Sequence, residues 1–207
     1  MTGGPARRMS PQRRRQHLVE TALQLYRQRP PQDVSVDEIA AEAGVSRALF
    51  YRYFTNVGAL HGAALGSVVD ELTGRITAAA EGPLEAQLRA ALGEFFAVVR
   101  RYPDSYAALL STGSATAAGL GDLVERLRGH VVDLVLERLG LSDPQPLLLL
   151  TLRGWVSVVE TALLTWLPNP EPAQEHLESW LVGQLLAMLR ATAAHDPACA
   201  EQLAGAL

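Results

Sequence analysis

Residues 35–54 read SVDEIAAEAGVSRALFYRYF. Two short helical patterns meet here at Ala43-Gly44-Val45-Ser46. The first opens on Ser35-Val36-Asp37-Glu38, the S-x-x-E spacing of a capping box, with Val34 and Ile39 at the two positions of a hydrophobic staple. Gly44 supplies the positive-φ residue that lets the chain turn sharply. Ser46 caps the next helix, and Val45 with Phe50 repeats the staple. Two short helices joined by a turn of three or four residues containing glycine form a helix-turn-helix unit.

The second helix carries arginines and aromatic rings and almost nothing else that is polar. An α-helix fits the major groove of duplex DNA, where its side chains reach base edges and phosphates. Leu49 or Phe50, together with Phe54, must pack inward. That leaves Arg47, Tyr51, Arg52 and Tyr53 wholly or partly outward. Arginine bonds guanine bidentately or pairs with phosphate. Tyrosine hydroxyls bond phosphate oxygens and fix register. Ser46 offers a hydroxyl and free N–H groups to a phosphate, and Ser35, at the start of the preceding helix, joins the candidate contacts.

The whole chain fits such a module on a larger body. Its 207 residues are 48% hydrophobic and 19% charged, enough to bury a sizeable core. Aromatics are only 6%, so the apolar fraction is mostly Leu, Ala and Val, and no long β-type alternation appears. An all-α fold follows. The net charge of -4 is unevenly spread. Residues 1–61 hold nine arginines against five acids, and the remainder nine against seventeen. A basic module that meets a polyanion, carried by an acidic body, is the implied organisation. The N-terminus lacks the apolar core of a signal peptide, and Cys199, the single cysteine, has no internal partner, so a cytoplasmic, nucleoid-associated protein is expected.

Outward from the motif, residues 1–9 read as a disordered basic arm containing Arg7 and Arg8. Ser10-Pro11 reads as the cap and first residue of an opening helix. Arg13, Arg14 and Arg15 sit in its first turns, where positive charge opposes the helix dipole; phosphate contact explains them better than helix stability does. Asn56 caps a long fourth helix with the inward stripe Leu60, Ala64, Val68, Leu72 and Ile76. A fifth helix spans 84–101, a short sixth follows Tyr102-Pro103-Asp104, and Ser111–Gly121 reads as a hinge. The seventh spans 122–139, the eighth runs from Asp143-Pro144 to Leu167, and the ninth from 171 to about 191. The domain boundaries that follow are 10–57 for a three-helix DNA-binding domain, 58–194 for a helical effector-binding and dimerisation domain, and 195–207 for a frayed end.

GVSRALFYRYF followed by TNVGALHGAAL (residues 44–65) resembles the TetR family of bacterial transcriptional regulators. The resemblance is clear over residues 15–65 and is one of helical architecture beyond. It implies a homodimer that docks two recognition helices on a pseudo-palindromic duplex, and a small-molecule effector whose binding in the C-terminal domain shifts the fourth helix and releases a repressor. The family usually has a small polar residue where this chain has Leu49, and a phosphate-contacting lysine where it has Val57.

Within that architecture Phe95, Phe96, Tyr106, His130, Trp155 and Glu160 are the candidate lining of an effector pocket, and an apolar lining implies a hydrophobic or amphipathic compound. Plain core is the alternative for each. Glu160 and Arg153 are charges in the most apolar helix and need partners or a function; pairing across a dimer is as open as a pocket role. A helix apolar on nearly every face must be buried on all sides, so Leu163, Trp166, Leu177, Trp180, Leu181, Leu185 and Met188 are the candidate dimer interface. His17, His61, His130, His176 and His195 show no metal-ligand spacing, and no nucleophile elbow, Walker loop or zinc motif is present. No catalytic residue, cofactor or metal is therefore expected, and no membrane partner. The competing readings are an architectural DNA-binding protein without an effector, and a helical ligand-binding or enzymatic protein with a vestigial DNA-binding domain.

Overall fold

The computed structural model describes residues 9–78, 82–111 and 120–205; Arg7, Arg8 and most of the expected hinge at Ser111–Gly121 lie outside them. Among the described residues the fold is all-α. The helices are α1 (Pro11–Tyr26), α2 (Val36–Glu42), α3 (Arg47–Tyr53), α4 (Val57–Ala78), α5 (Leu84–Arg101), α6 (Pro103–Ser111), α7 (Leu120–Arg138), α8 (Pro146–Trp166), α9 (Gln174–His195) and α10 (Pro197–Leu203). They fall into two compact units, Met1–Val68 with Asp104–Leu120, and Val69–Pro103 with Gly121–Leu207.

Local hydrogen bonds set the ends of the first unit's helices. Ser10 Oγ accepts the Arg13 N–H, and Pro11 follows it as the first helical residue. The capping box is complete: Glu38 N–H donates to Ser35 Oγ at 3.3 Å, and Ser35 N–H donates to Glu38 Oε2 at 2.9 Å. Gly44 sits at φ +63°. There its N–H bonds Ala41 O while Val45 N–H bonds Ala40 O, which closes the C-terminus of α2 as a Schellman turn. Ser46 Oγ accepts the Leu49 N–H, and Asn56 Oδ1 accepts that of Ala59. The core joins Leu18, Ala22, Tyr26, Ile39, Phe50 and Phe54 to Leu60 and Ala64 of α4, so this unit's core reaches beyond residue 57.

In the second unit α9 packs on α5, α8 and α10. Thr151 and Thr192 hydroxyls meet at 2.6 Å, Trp155 Nε1 donates to Leu181 O at 2.8 Å, and the Met188 methyl lies against Gly154. The end expected to fray is α10. Asp196 caps it by accepting the Ala198 N–H, Cys199 and Leu203 are buried, and Gln202 clamps the loop before α8 through Asp143 O and Gln145 N–H. Helix α8 is long and apolar enough to cross a membrane by length and composition alone. Here its Leu148, Leu152, Trp155 and Leu163 are buried in the unit's own core.

That packing places most of the residues expected at a dimer surface against the chain's own helices. Leu163, Trp166, Leu177, Leu181 and Leu185 are buried within the single chain, and Met188 turns inward to Gly154. The physical reason is that α8 and α9 satisfy one another's apolar faces. Of the seven residues Trp180 is the exposed one, at 46%, and it lines an open groove together with Trp166 and Leu177. Nor is α8 buried on all sides: Leu150 is 66% exposed.

Candidate functional site

Two places in the structure invite a function. The first is the outer surface of α3. Phe50 is fully buried and Leu49 only half-buried, so Phe50 anchors the helix. Phe54 is buried beside it, their rings 5.9 Å apart. With that face fixed, Arg47 and Arg52 are exposed and Tyr51 is 45% exposed, while Tyr53 is half-buried against the core.

Arg47 is already held. Its Nη1 donates to both oxygens of Asp37, at 3.0 and 2.9 Å, and Nη2 lies 3.5 Å from the Tyr51 hydroxyl. The Tyr51 hydroxyl first, and then the Asp37 charge, hold the guanidinium pKa above its ordinary range. Arg52 makes no ion pair among the described residues. Arg47 and Tyr51, four residues apart, share one side of the helix, and Arg52 stands further round the exposed surface, a spread that reaches a base edge and the flanking phosphates together.

The capping residues are less available. The Ser35 hydroxyl donates to Glu38 Oε2 at 2.7 Å, and Arg29 pairs with the same carboxylate at 2.8 Å. The Ser35 backbone and hydroxyl, and then Arg29, bring the Glu38 carboxyl down to about 2. On α1, Arg13 is exposed, Arg14 half-buried, and the Arg15 guanidinium lies 4.8 Å over the Phe54 ring. Arg15 therefore ties α1 to the end of the recognition helix by a cation–π contact. Asp37 and Arg29 had no motif to mark them in the sequence.

The second place is a narrow cavity of about 70 Å³ within the second unit. Its walls are almost wholly apolar, with Ile76 from α4, Leu88, Leu92 and Phe95 from α5, Val131 and Val135 from α7, and Trp155 and Val159 from α8. The polar lining is Arg128 and Glu160. Arg128 Nε and Nη2 each donate to one oxygen of Glu160 at 2.8 Å. This bidentate bond and the neighbouring Glu125 hold the Arg128 pKa high.

Three of the six expected pocket residues meet here: Phe95, Trp155 and Glu160. The others do not. Phe96 is fully buried edge-on against Trp166, 5.3 Å between rings, because it lies one position round the helix from Phe95. His130 hydrogen-bonds the Thr77 hydroxyl at 3.1 Å, joining α7 to α4 outside the cavity lining. Tyr106 belongs to α6, in the first unit. The charge in α8 is answered within the chain by Arg128, a partner 32 residues away that no sequence pattern singles out.

Residues 18–63 match the family described as bacterial regulatory proteins, tetR family. Residues 84–188 match the tetracyclin repressor-like C-terminal domain. A tetR-family transcriptional regulator from Streptomyces coelicolor is 33% identical over 96% of this chain and 90% of its own, with a TM-score of 0.89. A transcriptional regulator from Pseudomonas aeruginosa PAO1 is 22% identical over 90% of this chain and 94% of its own, TM-score 0.69. The transcriptional regulator FadR from Bacillus subtilis, in complex with stearoyl-CoA, shares the fold at 12% identity over 82% of this chain and 96% of its own, TM-score 0.64. No curated protein matches.

Proposed function

We propose that this chain, which belongs to the TetR family of bacterial transcriptional regulators, is a homodimeric repressor released from its operator by a small apolar or amphipathic effector. The carrying observation is α3: Phe50 and Phe54 fix its inner face, and the same packing commits Arg47, Tyr51 and Arg52 to solvent. Ser46 and Tyr53 complete the contact to DNA. Arg13, Arg14 and Arg15 approach the neighbouring phosphates, and Ser35 contributes through the N-terminus of α2.

The dimer forms through the outer side of α8 and α9, around exposed Trp180 and the half-buried Val158 and Ala162 beside it. Two copies of α3 then meet successive major-groove faces of a pseudo-palindrome, roughly 34–36 Å apart per helical turn. The effector occupies the cavity bounded by Ile76, Phe95 and Trp155. Ile76 belongs to α4, whose N-terminal turns carry Leu60 and Ala64 in the core of the DNA-binding unit. A guest that displaces Ile76 thus acts on one helix shared by both units, and lowers DNA affinity by its differential binding to the two states. The protein works in the bacterial cytoplasm, on the nucleoid.

Selection of random duplex DNA on the purified chain, sequenced at moderate and high salt, tests this. An enriched pseudo-palindrome is the expected result. Enrichment of no sequence, with binding that vanishes as salt rises, means phosphate contacts alone, and would favour an architectural role.

A further inference from the structure

The charge at the cavity wall is not balanced. Its polar lining belongs to one cluster, in which Arg128 serves two carboxylates: Glu160 through two hydrogen bonds at 2.8 Å, and Glu125 through Nη1. One guanidinium faces two acids. The Glu160 side chain is only 15% exposed and that of Arg128 37%, while Glu125, 70% exposed, stands just outside the cavity lining. The adjoining pocket that shares Arg128 and Val156 with the cavity adds one acid, Asp133, and one base, Arg153, so the excess remains negative.

The rest of the lining sharpens the preference. The Trp155 N–H is spent on Leu181 O, so this residue offers the cavity only its ring, and Phe95 offers another. Ring faces attract cations. An entering anion meets a cluster with one more acid than base, and one that draws Arg128 off Glu160 leaves a largely buried carboxylate without its partner, a heavily penalised arrangement. An entering ammonium adds to the cluster, donates to the unused lone pairs of both carboxylates and leaves the Arg128–Glu160 bond intact.

We propose that the cavity takes a lipophilic cation. Its apolar body lies against Leu88, Leu92 and Trp155, and its protonated amine sits between Glu160 and Glu125. This rests on reading the cavity as the effector site. The present space admits several water-sized groups, where one water needs roughly 10–15 Å³; a slender alkyl chain enters with small wall movements.

The test uses three probes with one tail: decylammonium, decanoate and 1-decanol, titrated calorimetrically into the full chain at neutral pH. Decylammonium should bind about ten-fold more tightly than decanoate, the effect of one charge-assisted hydrogen bond. Glu160→Gln should erase that margin, and Arg128→Gln should widen it. Should either variant melt before the titration, Glu125→Gln, at an exposed position, should narrow the margin by itself. Ala91→Phe or Val131→Phe, which fill the cavity, should abolish binding of every probe. Decanoate binding as tightly as decylammonium, or more so, with the filled variants still blocking it, overturns the cation preference and leaves the effector site standing. Binding that neither filled variant blocks, or no binding by any probe, overturns both.

Discussion

Replacing Leu163 with alanine separates a core residue from an interface residue, the point on which α8 turns. Leu163 is fully buried in one chain, with no surface left for a partner. The change removes three carbons. At ~0.8 kcal/mol per carbon the lost transfer term is about 2 kcal/mol, and the cavity left between α8 and α9 raises the cost to roughly 3–4 kcal/mol. For a chain of this size that lowers the melting temperature by roughly 6–15 °C. The assay is thermal unfolding by circular dichroism at two protein concentrations about a hundred-fold apart, beside sedimentation of the native protein. A core role predicts the same loss at both concentrations and an unchanged native association state. An interface role predicts weaker association and a loss that grows on dilution, since a partner subunit stabilises by mass action. A Leu163→Ala chain with wild-type unfolding that sediments as a monomer refutes the packing described for α8 and α9.

Other consequences follow from single residues. Trp180→Ala is the converse experiment: stability within about 0.5 kcal/mol of wild type, but weakened dimerisation by sedimentation; an unaltered dimer removes Trp180 from the interface. Gly44→Ala meets no neighbouring atom, so its cost is the left-handed backbone alone, about 1 kcal/mol by denaturant unfolding. Gly44→Asn should cost less, and equal losses would point to a steric cause instead. Arg52→Ala should weaken operator binding by about 1–3 kcal/mol if Arg52 reads a guanine; an unchanged preference for operator over random DNA rules out base reading.

The half-buried His61 ring lies 5.3 Å from Tyr26, edge to face, and its shielded Nε2 has no hydrogen-bond partner among the described residues. Burial lowers its pKa below the ordinary 6.5, so the fold holds it neutral while the unfolded chain takes up a proton. Its contribution is therefore complete above about pH 6.5 and is lost as pH falls below that value. His61→Phe should flatten the stability profile between about pH 7 and 5; a slope equal to wild type would assign the dependence to other groups.

The recognition unit was legible because its determinants are local. A cap bonds an N–H three residues on, a staple closes over five, and a positive φ belongs to one glycine, so Ser35, Glu38, Gly44 and Ser46 could be placed from spacing alone. Asp196-Pro197 carries the same kind of local signal, a capping side chain followed by proline, for α10. The choice of Phe50 over Leu49 needed the positions of α1 and α2, because both residues lie toward the inner side of α3.

The second unit is the opposite case. Helix α8 is apolar on nearly every face, so no stripe states which side meets α9 and which meets solvent. Only the packed partner decides that Leu163 is core and Leu150 is exposed. The same holds for charge. Glu160 announces in the sequence that it needs a counter-ion, but Arg128 answers from another helix 32 residues away, as Thr192 answers Thr151 from 41. Short-range hydrogen bonding and backbone strain are written residue by residue, so the sequence alone determined the helix-turn-helix and its outward arginines. The pairing of apolar faces and buried charges depends on what the folded chain brings alongside, so the inner face of α8, the exclusion of Phe96 and His130 from the cavity lining, and the Arg128–Glu160 bond at its wall were decided by tertiary structure alone.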